Sequence, residues 1–201
     1  MENKAGKHEE KAEFGPIFSR LYAFFSSHSR SQNKQYSRIA EDVWSMSPST
    51  ILEIGSGPGI EAAMIAQRLP DARITCIDPS PTMVKIANDR FRKLSLRDRA
   101  VSKLGNSSET GIEGTFDVIF CSQSFHHWEN GMQDVQKLIG KHMTKGTFVI
   151  YENLVSDTHK GNRAIHGHGI TKEFAETEEI PGTRKSLEIA NDLVILKFSN
   201  S

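Results

Sequence analysis

The sequence has little that would mark it for the cell exterior, a membrane or a polyanion. Only two cysteines, Cys76 and Cys121, occur in 201 residues, each inside an apolar run. That excludes a disulfide framework and any paired-cysteine zinc spacing, and makes two buried thiols in a reducing compartment the simple reading. No apolar stretch approaches the roughly 18 residues of a membrane-spanning helix. The opening "MENKAGKHEEKAE" is charged throughout and has no apolar centre, so it does not read as a secretory leader. Neither sign of charge is in excess: Lys+Arg and Asp+Glu are both 25. Composition therefore asks for neither nucleic acid nor an anionic membrane as partner. Repeats and low-complexity blocks are absent too. The expectation is a cytoplasmic protein with one domain-sized core.

Residues 1–12 read as a disordered tail, and 13–48 as N-terminal helices. In "FGPIFSRLYAFFSS", Phe14, Ile17, Phe18, Leu21, Tyr22 and Phe25 recur at helical spacing. "SQNKQYSRIAEDVWSM" is a second amphipathic helix with Ile39, Val43 and Trp44 inward, stopped by Pro48. From residue 49 to 201, strand and helix then take turns. "TILEI", "RITCID", "FDVIFCS" and "TFVIYEN" are continuous apolar strands, and "IEAAMIAQRL", "PTMVKIANDRFRKL" and "DVQKLIGKHM" are helices. Strands without in/out alternation are covered on both faces, and alternation with helices gives a doubly wound, mostly parallel α/β sheet. "RAVSKLG" adds a short strand, and "RKSLEIANDLVILKFSN" a terminal antiparallel hairpin turning near Asn191-Asp192.

The chemistry concentrates at "ILEIGSGPG", residues 51–59, which is strand, glycines, then helix. Glycines there let a ligand approach the backbone, and the following helix aims free N–H groups at it. No Gly-Lys-Ser/Thr of a phosphate-cradling loop is present. The third glycine comes one residue early for a dinucleotide fingerprint, and Glu61 lies in the first helical turn, where a pyrophosphate would dock. Two anions in one place repel. Asp78 closes the next strand about twenty residues on, where a carboxylate accepts ribose hydroxyls. Its alternative role is a helix cap, with Ser80 competing for it. Glu53, inside an apolar strand, is costly unless paired with loop N–H groups or a cationic ligand. A ligand with a ribose, without phosphate and with positive charge fits best. S-adenosylmethionine meets all three conditions.

With those residues in place, "ILEIGSGPG" resembles motif I of class I S-adenosylmethionine-dependent methyltransferases, and "ITCIDPSPTMVKIA" the motif that follows it. "GNSSE" (105–109) resembles the loop that brackets adenine, with Asn106 where many members carry Asp. "FDVIFCSQSFHHW" resembles the fourth strand with its active-site loop, and "KHMTKGTFVIYEN" the fifth-strand unit. The resemblance is nearest to the small-molecule branch, which includes quinone-biosynthesis enzymes. The Asn/Asp-Pro-Pro-Tyr/Phe signature of base N-methylation is replaced by "SQSF". It implies a seven-stranded Rossmann-like sheet of order 3-2-1-4-5-7-6 and a cofactor site of Glu53, Gly55, Ser56, Gly57, Gly59, Asp78, Pro79, Met83, Asn106, Ser107 and Ser122. The reaction implied is in-line methyl transfer to a small-molecule acceptor; protein or RNA acceptors, and a non-catalytic cofactor binder, are the alternatives.

An acceptor protonated at neutral pH needs a base, and His126 and His127 follow the fourth strand where one would stand. Packing and solvation are the competing roles for them. Trp128, Tyr22 and Phe18 are candidate substrate contacts, the latter two on an aromatic helix that reads either as a lid or as plain core. His166-Gly-His168 offers two histidines without a third ligand, so no metal site is expected.

Overall fold

The computed structural model describes residues 30–156 and 169–200. The aromatic helix, with Phe18 and Tyr22, and the His166-Gly-His168 segment lie outside the described residues. The described chain begins with α1 (Arg30–Ser45), followed by β1 (Thr50–Ile54), α2 (Ile60–Arg68), β2 (Arg73–Asp78) and α3 (Pro81–Lys93). Next come β3 (Ala100–Leu104), β4 (Val118–Ser122), a 3-10 turn (Phe125–His127), α4 (Met132–His142) and β5 (Thr147–Val155). The chain finishes with β6 (Ile170–Thr171), α5 (Lys172–Thr177), β7 (Thr183–Ala190) and β8 (Leu193–Asn200).

The main sheet runs β3-β2-β1-β4-β5-β8-β7, with β6 added beside β5. Strands β1 to β5 pair in parallel, while β8 runs antiparallel to both β5 and β7. This is the expected order, with the terminal hairpin placing its last strand inside the sheet. Asn191 and Asp192 turn that hairpin with φ of 50° and 64°. Paired left-handed residues match the twist of the flanking strands, and short polar side chains tolerate them best.

Two cores cover the two faces. On one, Ile39 and Val43 of α1, Ile65 of α2 and Phe91 of α3 meet Ile51, Phe120 and Tyr151. On the other, Leu138 of α4 and Phe174 of α5 meet Leu52, Ile119, Phe148 and Phe198. Adjacent strand residues such as Ile51 and Leu52 therefore go to opposite cores, which is why the strands read as unbroken apolar runs. Helix α1 belongs to this framework rather than to a separate cover: Asp42 accepts from Tyr151 Oη at 2.6 Å and from Lys197 Nζ at 2.7 Å. Trp44 is only half-buried, with Arg68 stacked 5.2 Å from its ring. Parallel strands put all their carboxyl ends on one edge. The segments 55–59, 78–80, 105–109 and 123–128 emerge together there.

Candidate cofactor and active site

The three motif glycines do different work. A Cβ on Gly55 would stand 2.6 Å from Ser124 Cβ, so this glycine lets the turn after β4 pack on the loop. A Cβ on Gly59 would stand 2.8 Å from Phe91 Cζ, so this one lets α2 and α3 approach. At Gly57 a Cβ would meet none of the described residues within 4 Å. Among the described residues Gly57 alone of the three faces open space, with φ 51°. That is the place where a ligand could lie against bare backbone.

Asp78 reaches across to this loop. Its Oδ2 accepts the Gly57 N–H at 2.8 Å and its Oδ1 accepts the Ser80 N–H at 2.9 Å. Ser80, not Asp78, caps α3, accepting from Met83 N at 3.4 Å. The cap alternative is thereby resolved, and Asp78 keeps lone pairs for further donors. Burial raises the Asp78 carboxyl above its usual range, against the pull of the two backbone N–H groups. Pro79 is exposed beside it, and Met83 is buried in the first turn of α3.

Two more acids sit below the loop. Glu53 is 1% exposed, and Cys76 Sγ lies 3.6 Å from its Oε2. Burial, then the charges of Glu61 and Asp78, hold its carboxyl well above the usual range. Burial likewise pushes Glu61 up to about 7. The Ser122 hydroxyl stands near enough to offset that rise in part, though outside hydrogen-bond geometry. Three carboxyls thus converge without a neighbouring cation among their described partners. Among the described residues, the buried hydroxyls of Ser56 and Ser122 have no partner within hydrogen-bond geometry. Open backbone at Gly57, unpaired hydroxyls and clustered acids fit a ligand that combines polar groups with positive charge, as S-adenosylmethionine does.

The predicted adenine loop is tied to α4. Ser107 Oγ and Ser108 Oγ donate to Asp134 Oδ2 at 2.8 and 2.9 Å, and Asn130 Nδ2 reaches its Oδ1 at 3.3 Å. Asn106 Oδ1 accepts from Ser108 N and Glu109 N at 2.9 and 2.7 Å. Its carbonyl therefore shapes the loop, and its side chain is less available to a base than expected. Asp134, fully buried, was not singled out from the sequence, because its partners lie 26 and 27 residues away.

On the other side of the loop, Gln123 adopts φ 47° at the end of β4 and swings the chain over Gly55. Ser124 Oγ then donates to Ile54 O at 3.0 Å. Phe125 is buried, whereas Trp128 packs on Phe125 and Phe148 at ring distances of 5.3 and 6.5 Å. Those contacts give Trp128 a core role beside any substrate role. His127 is exposed and its ring centroid lies 4.0 Å from that of His126. The His126 side chain is 3% exposed, and its Nδ1 lies 3.0 and 3.1 Å from the two carboxylate oxygens of Glu152. Glu152 was also missed in the sequence. Among the described residues no cluster of three or more His, Cys, Asp or Glu is arranged to hold a metal ion. Nor is any described helix long and apolar enough to cross a membrane.

Several known proteins are similar to this chain. Residues 52–149 match the family described as a methyltransferase domain. The chain is 27% identical over 124 residues to malonyl-[acyl-carrier protein] O-methyltransferase of Acetivibrio thermocellus, covering 61% of this chain and 42% of that protein. It is 47% identical over 98 residues to tRNA1(Val) (adenine(37)-N6)-methyltransferase of Vibrio parahaemolyticus, covering 49% of this chain and 41% of that protein. The chain thus spans under half the length of these curated relatives. Among solved structures, a Methanococcus maripaludis protein described as an S-adenosyl-L-methionine-dependent methyltransferase superposes with a TM-score of 0.72 at 19% identity. That superposition covers 98% of both chains.

Proposed function

We propose that the chain is a class I S-adenosylmethionine-dependent methyltransferase, a reading that the methyltransferase-domain match over residues 52–149 supports, and that it methylates a small-molecule acceptor. The single observation that carries this reading is the open backbone at Gly57, whose N–H Asp78 accepts, with the buried acids Glu53 and Glu61 near Asp78. Bound there, S-adenosylmethionine supplies a methyl group already activated on a sulfonium. Asp78 would hold the ribose hydroxyls, and Glu53 and Glu61 would balance the ligand's positive charge. The Ser56 and Ser122 hydroxyls would gain the partners they lack among the described residues. Ser107, Asn106, Met83 and Pro79 would border the adenosine. The protein's remaining tasks are to align the acceptor, exclude water and remove a proton where the acceptor carries one. His126 or His127 would take that proton.

The malonyl-[acyl-carrier protein] O-methyltransferase relative favours a small acceptor group. The tRNA relative favours nucleic acid, but "SQSF" replaces the base-methylation signature and the net charge is zero. Incubation with methyl-labelled S-adenosylmethionine and three separate probes decides: a small-metabolite extract, bulk tRNA and total protein. Label in the small-metabolite fraction is the expected outcome; label only in tRNA or protein would refute the acceptor class.

A further inference from the structure

Strand β7 closes one edge of the sheet. It pairs with β8 along its whole length, and among the described residues no strand pairs with its other side. Such an edge offers a row of backbone N–H and C=O groups to another strand. The usual safeguards against that are weak in "TRKSLEIA", which has neither proline nor glycine. Its lysine is turned back on its own chain, Lys185 Nζ donating to Glu176 O at 2.6 Å. Ile189 is exposed and Leu187 half-buried. Alternate residues of a strand share a face, so Arg184, Ser186 and Glu188 lie together on the side where Arg38 of α1 reaches Glu188. On that side an open cavity of about 430 Å³ is lined by Arg38, Glu41, Asp42, Glu188 and Ile195. Tyr151 and Lys197 satisfy Asp42, whereas Glu41 and Arg184 have no ion-pair partner among the described residues. An acid-lined hollow and an unpaired arginine thus share one strand edge.

We propose that this edge is an interface with a second copy of the chain, the two β7 strands pairing antiparallel about a two-fold axis through Ser186. An axis normal to the sheet keeps every side chain on its own face, so only residues whose numbers sum to an even value stand opposite each other. The registers this allows near the middle of the strand differ in charge. Centred on Lys185, the pairing sets that lysine against itself. Centred on Leu187, it sets Arg184 against Ala190. Centred on Ser186, it sets Arg184 against Glu188 on both sides of the axis, covers Ile189 with Thr183, and uses nearly all of β7. Opposite Cβ atoms then stand about 4.5–5.5 Å apart, within reach of a guanidinium–carboxylate contact. Glu188 accepts from Arg38 and keeps lone pairs for the Arg184 of the second copy, which enters the cavity beside Glu41. The surface is complementary to itself, so the pairing closes as a dimer. It goes beyond the methyl-transfer reading and does not depend on it.

Analytical ultracentrifugation of the full chain at low salt, from about 1 to 200 µM, tests this. A monomer–dimer equilibrium that weakens as salt rises is expected of a small interface with ion pairs. Arg184→Glu and Glu188→Arg should each weaken self-association about tenfold or more, because each sets like charges opposite one another on both sides of the axis. Mixed in equal amounts, the two variants should form a heterodimer about as tight as the wild-type dimer, since every charge then meets its opposite. A wild type that stays monomeric throughout overturns the proposal. So does association that neither substitution weakens, or growth of the wild type beyond a dimer. Cross-linking needs no charge change and fixes the register. Cys76 and Cys121 are both buried. With a short bis-maleimide, Ser186→Cys should therefore give covalent dimer much faster than Val101→Cys, an exposed position on β3 at the opposite edge. Equal rates for the two would overturn the pairing.

Discussion

Replacing Glu61 by Gln should make the protein more stable and a worse cofactor binder. The carboxyl ionises near 4.5 in the unfolded chain and is pushed by burial to about 7 in the fold. Between those values the folded state holds the extra proton. Stability therefore falls as pH rises through this window and is lowest above it. The gap corresponds to about 3 kcal/mol at 1.36 kcal/mol per pH unit. A Gln at this position is neutral throughout and avoids the loss. For a chain of this size, about 3 kcal/mol is roughly 6–12 °C in Tm. Scanning calorimetry of both proteins at pH 4.5 and pH 8 should give nearly equal Tm at the lower pH and a variant higher by that margin at pH 8. The same variant should lose about tenfold or more in S-adenosylhomocysteine affinity at pH 8, because a charge opposite the ligand's ammonium is gone. A variant less stable than the wild type at pH 8 would refute the burial argument. Undiminished affinity would refute the role of Glu61 in balancing the ligand.

The glycines separate fold from ligand. Gly59→Ala should destabilise by about 2 kcal/mol or more, since its Cβ would overlap Phe91 and its φ is 68°; urea unfolding measures this. Gly57→Ala should cost only about 1 kcal/mol for its φ of 51° but weaken S-adenosylhomocysteine binding strongly, because its Cβ points into open space. Asp134→Asn should loosen the 106–109 loop and raise the S-adenosylhomocysteine Kd about tenfold, on the order of one lost charge-assisted bond; equal Kd values would remove Asp134 as the anchor of that loop. Asp78→Ala should raise the same Kd about 10- to 100-fold, for the loss of about 1.5–3 kcal/mol of hydrogen bonding to a charged group.

What was legible in the sequence was what local chemistry dictates. Continuous apolar strands alternating with amphipathic helices gave the doubly wound sheet, and Asn191-Asp192 gave the hairpin. The glycine run and the acid closing β2 marked the ligand edge because each lies within a few residues of the element that positions it. The pairings that complete the site were not legible. Glu152 meets His126 across 26 residues, and Asp134 meets Ser107 across 27. Such pairs are made by the order of β4 and β5 and by the seat of α4, which no local pattern announces. Likewise the spacing of Gly55, Gly57 and Gly59 suggested one shared purpose. Two of them serve packing against Ser124 and Phe91. The short β6–α5 unit was not legible either. Thr171, whose hydroxyl accepts from Phe174 N at 3.1 Å, was its one sequence-level cap signal.

The most direct test is isothermal titration of the full chain with S-adenosylhomocysteine and, separately, with NAD. One-to-one saturable binding of S-adenosylhomocysteine, weakened about 10- to 100-fold by Asp78→Ala and without any heat from NAD, is the expected result. Binding of NAD with no response to S-adenosylhomocysteine would contradict the assignment of the glycine loop.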